Sequence, residues 1–133
     1  MYHYMHRARE NGIHLSYGGM IRSPGIPDMD ISVLLGNALD NAFDGCMTVK
    51  ENRSIKVIFQ SEKQVLSILV RNCFDGKVET SSEGLLSRKR ENSTGIGLAS
   101  MQSICKKYGG MLETVWDDTY FTVTMILPIK EAN

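Results

Sequence analysis

Residues 31–47 read ISVLLGNALDNAFDGCM and are the most informative stretch of the chain. Their apolar side chains recur at helical spacing and cover most of the circumference, which predicts a long helix that is buried on most sides. Asp28 or Asp30 is expected to cap its first turn. The polar exceptions fall at positions i, i+4 and i+7 and therefore form one narrow stripe, composed of Asn37, Asn41 and Asp44.

This amide stripe admits two interpretations. Burying a carboxamide without a partner costs roughly a few kcal/mol, so something must satisfy its polar groups. An oxygen-ligated cation such as Mg²⁺ would do so, because it takes few protein oxygens together with water or phosphate oxygens. Alternatively, Asn37 and Asn41 hydrogen-bond a neighbouring loop and bind nothing, and spacing alone favours this second interpretation.

The segments around this helix predict an α+β fold. The order is helix, strand, long helix, hairpin, long loop, helix and hairpin, which favours a two-layer sandwich with a mixed, mostly antiparallel sheet and the helices on one face. The expected elements are a helix over 1–12 with Gly12 as its C-terminal cap, strands over 13–20, 55–59 and 65–70, a long polar loop over 73–93, a helix over 95–108, and strands over 111–116 and 120–127.

Composition limits the classes of protein. The chain has 133 residues, 42% of them hydrophobic, which suits one domain, and its 15 basic and 15 acidic side chains balance. This balance excludes a general electrostatic attraction to nucleic acid or to acidic membranes. Cys46, Cys73 and Cys105 form no CxxC pair, so free thiols in a reducing cytosol are expected and a zinc site is disfavoured. Without a long apolar run or a signal peptide, the expectation is a soluble intracellular domain.

Two further segments carry candidate binding groups. In residues 93–98, STGIGL, glycines at a helix start let phosphate oxygens approach unpaired backbone N–H groups, although this motif alone favours a plain N-terminal turn. The run is neither a Walker loop nor a GxGxxG motif. Asn72, at the end of a strand, can both donate to and accept from an adenine edge, or simply cap the junction between strand and loop.

Taken together, the three segments resemble the nucleotide-binding boxes of the GHKL superfamily of ATPases and kinases. Residues 35–42, LGNALDNA, look like the N box, residues 70–76, VRNCFDG, occupy the place of the first glycine box, and residues 94–98, TGIGL, match the second. The order and spacing of the boxes are those of the superfamily, and the resemblance spans essentially the whole chain.

Within that superfamily the chain is most similar to sensor histidine kinases of the accessory-gene-regulator, quorum-sensing type. In that branch a Thr-Ser-Lys-like segment precedes the second box, here residues 86–89, LSRK. Residues 8–13, ARENGI, before the first strand and residues 107–110, KYGG, near the end also fit the branch.

The resemblance implies a Bergerat-type ATP site between the long helix, a mobile lid over residues 77–94 and the glycine helix. In it, Asn41 coordinates the Mg²⁺ that bridges the phosphates, and Asn37 helps to hold that metal or its water. Asn72 recognises adenine, and Asp44 contacts the sugar side or a ligand of the metal. The remaining implied ATP-binding residues are Gly76, Gly95 and Gly97, which allow close approach, Arg88 and Lys89, which close over phosphate, and Thr94 and Leu98 of the second box.

Two departures from the superfamily pattern bear on function. ATP-hydrolysing members place a glutamate where this chain has Asn37, and an amide cannot act as a general base at neutral pH, which argues for phosphoryl transfer and against efficient hydrolysis. The first glycine box usually begins with aspartate and has a middle glycine, where this chain has Asn72 and Phe74. Adenine affinity and selectivity are therefore the properties that these two residues put in question.

The expected function is the ATP-binding catalytic domain of a sensor histidine kinase. None of His3, His6 and His14 lies in the context of a phosphoacceptor, so that histidine is expected on an upstream dimerisation domain, of whose helix residues 1–12 would be the end. Implied partners are ATP, that domain and a response regulator, with no nucleic acid and no direct membrane contact. The domain is expected in the cytoplasm, on a parent that is membrane-anchored.

Two other functions remain open from the sequence. A non-kinase GHKL module could use the same pocket to regulate a partner, and a hydrolytic GHKL ATPase is a third possibility that Asn37 disfavours. Phosphoryl transfer to a separately supplied acceptor domain discriminates the kinase from the regulatory module.

Overall fold

The computed structural model describes residues 2–21, 25–80, 86–88 and 96–129. Three helices and seven strands are found in these residues, in the order α1 (Tyr2–Glu10), β1 (His14–Gly18), α2 (Asp28–Cys46), β2 (Ser54–Glu62), β3 (Val65–Cys73), β4 (Val78–Thr80), β5 (Leu86–Arg88), α3 (Ile96–Lys107), β6 (Met111–Trp116) and β7 (Tyr120–Pro128). The predicted α+β class is confirmed.

The main sheet has five strands in the order β1-β2-β3-β7-β6. β1 pairs with β2 in parallel, and the other neighbours pair antiparallel. Along β3 the buried side chains Leu66, Ile68 and Val70 alternate with more exposed ones, which is the period of a sheet with one covered face. Because α2 packs against β3 and α3 packs against β6 and β7, the helices lie on that covered face, as the sequence predicts.

The hydrophobic core lies between α2, α3 and the sheet. Leu34, Leu39, Ile68, Met101 and Met125 are fully buried there. Burying each such side chain contributes about 1.5–3 kcal/mol, which explains why the most apolar helix of the chain occupies the centre.

Two helices end in the same hydrogen-bonded motif. Gly12 has a φ of +64°, its N–H donates to the carbonyl of Arg9, and the next N–H, of Ile13, donates to the carbonyl of Ala8. Gly109, with a φ of +76°, ends α3 in the same way. These left-handed positions favour glycine, so the predicted cap at Gly12 is confirmed.

The predicted cap of α2 is wrong. The helix begins at Asp28, Pro27 occupies the N-cap position, and no side chain caps the first turn. The carbonyl of Pro27 accepts the first hydrogen bonds of the helix, from the N–H groups of Asp30 and Ile31. Asp30 instead accepts hydrogen bonds from Tyr108 and Lys107 at the end of α3.

The long polar loop predicted over 73–93 contains regular structure. β4 and β5 pair antiparallel within it, with Val78 opposite Arg88, in a ladder too short and too polar to show a strand period in sequence. Residues 81–85 and 89–95 of this segment lie outside the described residues. Among the helices that the structure describes, none is long and apolar enough to cross a membrane.

Candidate functional site

The amide stripe lies on α2 at the margin of its buried face. Asn37 and Asn41 are half-buried and Asp44 is exposed, while Ala38 and Ala42 beside them are buried. Asn41 and Asp44 each take part in an interaction within the chain, so a ligand would share or exchange those contacts. The stripe is thus reachable from solvent and still backed by the core.

The neighbouring stripe of α2 is covered by α1. Tyr4 stacks on Phe43 with ring centroids 6.1 Å apart, and the Arg7 guanidinium lies 4.3 Å from the centroid of the same ring. Nη1 of Arg7 also lies 3.0 Å from Oδ1 of Asp40. Because α1 occupies this side, the rotation of α2 is set and the amide stripe is turned to an adjacent side.

Among the described residues, Asn72 is the one polar residue that is buried, and only 2% of its surface is exposed. It lies opposite Ile55 of β2 and Phe121 of β7, on the same face of β3 as Ile68 and Val70. Its Nδ2 donates to the carbonyl of Cys73 at 2.9 Å. A carboxamide held in this way keeps further donor and acceptor capacity toward a ligand.

Two contacts bring the end of β3 beside the C-terminal end of α2. The Sγ atoms of Cys46 and Cys73 are 3.4 Å apart, and the N–H of Asp75 donates to Oγ1 of Thr48 at 3.0 Å. The first glycine box therefore lies against the helix that carries the N box. Residue spacing did not reveal either contact, since each joins positions 27 apart.

The described part of the second glycine box, residues 96–98, lies at the start of α3, which packs along α2. Asp30 holds the other end of α3 beside the first turn of α2, through Tyr108 and through Lys107 at 3.4 Å. α3 therefore lies along α2, and its C-terminal end is held beside the first turn of α2. Leu98, in the first turn of α3, is buried and 3% exposed, so it anchors the helix in the core.

Some of the remaining predicted site residues are described by the structure, and others are not. Gly97 belongs to α3 and Arg88 to β5. Lys89, Thr94 and Gly95 lie outside the described residues. Of the predicted lid over 77–94, the described parts are residues 77–80 and 86–88.

Gly76 and Phe74 have structural roles that the sequence did not disclose. Gly76 has a φ of +84°, and a Cβ there would lie 3.0 Å from the carbonyl oxygen of Asp118, so its close approach is to the chain's own backbone. Phe74, in place of the middle glycine of the box, is buried against Phe121 with ring centroids 5.7 Å apart. Its N–H donates to the carbonyl of Thr119 at 2.9 Å.

The three cysteines are free and buried, but they differ in acidity. The hydrogen bond with Cys46 and the hydrogen bond from the N–H of Ser54 hold the pKa of Cys73 below the ordinary value of a thiol. The hydrogen bond with Cys73, together with burial, raises the pKa of Cys46. Burial alone raises the pKa of Cys105 to about 11. The three histidines are exposed.

The donor chemistry of the amide stripe fits Mg²⁺. Asn37, Asn41 and Asp44 offer hard oxygen atoms on one side of a helix. The described residues contain no group of three or more histidine, cysteine or acidic side chains that could enclose a metal. A cation here would therefore need oxygens from water or from a phosphate ligand, which is the coordination that Mg²⁺ favours.

The chain is similar to known proteins in sequence and in fold. Residues 27–128 match the model of the family described as GHKL domain. A probable C4-dicarboxylate sensor kinase of Halalkalibacterium halodurans is 31% identical over 94 residues, covering 67% of this chain. The chain spans 18% of the length of that relative.

Solved structures share the fold. The catalytic domain of the histidine kinase ThkA, in a nucleotide-free form, superposes with a TM-score of 0.74 at 20% identity, covering 96% of this chain and 85% of that one. The Acinetobacter baumannii histidine kinase AdeS gives a TM-score of 0.71 at 14% identity, covering 98% of this chain and 61% of that one.

Proposed function

This chain belongs to the GHKL domain family, and we propose that it is the ATP-binding catalytic domain of a sensor histidine kinase. It binds Mg·ATP and presents the γ-phosphoryl group to a histidine on a separate dimerisation domain. The observation that carries the proposal is the position of Asn72, a buried carboxamide at the end of β3 that lies beside the C-terminal end of the helix with Asn37 and Asn41.

Asn72 recognises the adenine base of ATP. Its second N–H and its carbonyl oxygen can meet the donor and acceptor of an adenine edge, while the bond to the Cys73 carbonyl holds the amide plane in place. A preorganised amide in a buried position discriminates strongly, because a base with the wrong edge leaves its polar groups unpaired.

The amide stripe binds the metal ion and the phosphates of ATP. Asn41 supplies an oxygen to Mg²⁺, Asn37 holds the metal or its water, and Asp44 contacts the sugar side or a ligand of the metal. When bound, Mg²⁺ neutralises phosphate charge. Because its side chain is an amide, Asn37 can hold the metal or its water but cannot remove a proton from that water. This favours transfer of the phosphoryl group to an imidazole over hydrolysis of ATP.

The glycine helix and the lid complete the proposed site. Backbone N–H groups of Thr94, Gly95 and Gly97 donate to phosphate oxygens in this proposal. Leu98 is buried and anchors the first turn of α3. Arg88 and Lys89 close over the phosphates from the lid over 77–94. Catalysis then rests on positioning and charge neutralisation.

The proposal extends to the whole protein. The phosphoacceptor histidine lies on a separate dimerisation domain, and a response regulator receives the phosphoryl group. The parent is membrane-anchored with this domain on the cytoplasmic side. Residues 86–89 and 8–13 support membership in the accessory-gene-regulator, quorum-sensing branch.

Calorimetric titration with Mg·ATP tests the site. Asn41→Ala should abolish measurable Mg²⁺-dependent ATP binding without unfolding the chain, because it removes the metal's protein oxygen. Ser32→Ala, an exposed position on the same helix, is the matched control and should bind as the wild type does. Unchanged affinity in Asn41→Ala would refute the assignment of the amide stripe.

Phosphoryl transfer tests the reaction. The chain is mixed with labelled ATP, Mg²⁺ and a separately purified dimerisation domain from the parent protein, and acid-labile phosphate on that domain is measured. Transfer supports the kinase. Tight binding of the partner without transfer indicates a regulatory module instead.

A further inference from the structure

Cys46 and Cys73 form a close thiol pair in the core. Their Sγ atoms are 3.4 Å apart, although one residue ends α2 and the other ends β3. The exposed fractions are 0% and 4%. A disulfide needs about 2.05 Å between the sulfurs, so they would have to approach by a little more than about 1 Å.

The backbone of Ser54 is hydrogen-bonded to both sulfur atoms. Its carbonyl accepts from the Cys46 thiol at 3.3 Å, and its N–H donates to the Cys73 sulfur at 3.3 Å. The Ser54 N–H donates to the Cys73 sulfur and so stabilises a thiolate there, whereas the Cys46 thiol donates its own proton to the Ser54 carbonyl. Cys73 is thus the nucleophile of the two, since a thiolate is the reactive form.

Cys105 provides an internal contrast. It is fully buried on α3, and burial alone raises its pKa to about 11, so it stays a protonated thiol at neutral pH. The chain therefore contains one activated pair and one inert cysteine.

We propose that Cys46 and Cys73 are a peroxide-responsive modification site, whose reversible disulfide lowers the affinity of the domain for nucleotide. The effect on affinity rests on the proposed function, whereas the formation of the disulfide does not.

The oxidant is a small peroxide, and the steps balance. The Cys73 thiolate attacks one oxygen of the peroxide O–O bond and becomes a sulfenic acid, while the other oxygen leaves as hydroxide. The Cys46 thiol then attacks the sulfenic sulfur, the S–S bond forms, and water leaves. A cellular dithiol reduces the bond by exchange and restores both thiols.

The disulfide would act on the site through Asn72. This residue directly precedes Cys73, and its Nδ2 donates to the Cys73 carbonyl at 2.9 Å. Drawing the end of β3 toward α2 moves the adenine-recognising amide relative to the helix that carries Asn41. Misplacement of a binding group by about 1 Å is enough to weaken a preorganised site by about tenfold or more.

The first experiment measures the bond itself. The full chain is treated with hydrogen peroxide, alkylated and digested. We expect a Cys46–Cys73 cross-linked peptide and an intact mass lower by two hydrogen atoms, both reversed by dithiothreitol. Cys105→Ser should oxidise identically, whereas Cys46→Ala and Cys73→Ala should not lose two hydrogens. Over-oxidation without a cross-link, or a cross-link through Cys105, overturns the proposal.

The second experiment measures the consequence. Calorimetry with Mg·ATP is run on reduced, oxidised and re-reduced protein, and we expect the dissociation constant to rise by about tenfold on oxidation and to recover on reduction. An unchanged constant in fully cross-linked protein overturns the regulatory effect. If the reduced protein does not bind ATP, the proposed function fails and the regulatory effect fails with it, while the cross-linked peptide still decides the disulfide.

Discussion

The Tyr108 hydroxyl donates a hydrogen bond to the Asp30 carboxylate and thereby joins the end of α3 to the first turn of α2. Lys107 reaches the same carboxylate at 3.4 Å. The hydrogen bond from Tyr108, followed by that from Lys107, holds the pKa of Asp30 below its usual range. The C-terminal end of α3 is thus linked to the N-terminal end of α2, the helix that carries the N box.

Removing this hydrogen bond should give a pH-dependent loss of stability. A carboxyl group whose pKa is lowered by folding stabilises the fold above its unfolded pKa, about 3.9, and loses that contribution as pH falls through the lower folded value. Tyr108→Phe should therefore lower Tm by a constant amount between about pH 5.5 and 8, and the difference from wild type should shrink below about pH 4. Thermal unfolding followed by circular dichroism measures it, and a pH-independent difference would contradict the assignment.

Replacing the buried amide should weaken both the fold and the binding of adenine. Asn72→Ala leaves the Cys73 carbonyl without its donor, so the free energy of unfolding should fall by about 1–3 kcal/mol. The affinity for Mg·ATP should fall by about tenfold or more, and the ratio of the affinities for ATP and GTP should decrease. Denaturant unfolding and competition titrations measure the two effects. An unchanged preference would remove Asn72 from the adenine site.

Introducing a carboxylate at Asn37 should create hydrolysis. Asn37→Glu provides the general base that the amide cannot, and such a base contributes about 10²–10⁴-fold to rate. We expect steady-state phosphate release by the isolated chain to rise by about tenfold or more. Glutamine matches glutamate in length but is not basic, so phosphate release by Asn37→Gln should stay at the wild-type rate. Equal rates in both variants would show that position 37 does not touch the attacking water.

Two glycine substitutions separate backbone strain from steric contact. Gly12 and Gly76 both have positive φ, but a Cβ at Gly12 meets nothing within 4 Å, whereas one at Gly76 lies 3.0 Å from the Asp118 carbonyl oxygen. Gly12→Ala should cost about 1–2 kcal/mol for the left-handed backbone alone. Gly76→Ala should cost measurably more in the free energy of unfolding by urea. Equal costs would mean that the turn at Asp118 moves aside freely.

The fold was predictable where local pattern and tertiary role agree. The apolar period of residues 31–47 predicts a buried helix, and eight residues of α2 are buried in the core. The expectation failed where the pattern was short or polar. β4 and β5 have three residues each, and Pro27 rather than an acidic side chain precedes α2.

The sequence predicts a set of candidate site residues, but it does not predict how they lie relative to one another. Asn37, Asn41 and Asp44 share one side of α2 as their spacing requires. Nothing in the sequence indicated that α1 covers the next side through Tyr4 and Arg7, or that the close approach at Gly76 is to the chain's own backbone.

The sequence by itself determined the helices and most of the strands, the amide stripe and the three boxes, because periodicity and turn chemistry act between residues that are neighbours in the chain. Only the tertiary structure decided that Cys46 meets Cys73 and that Asp30 meets Tyr108. Contacts of that kind depend on how α2, α3 and the sheet pack together to bury their apolar faces, and many sequences with the same local pattern could place those side chains apart.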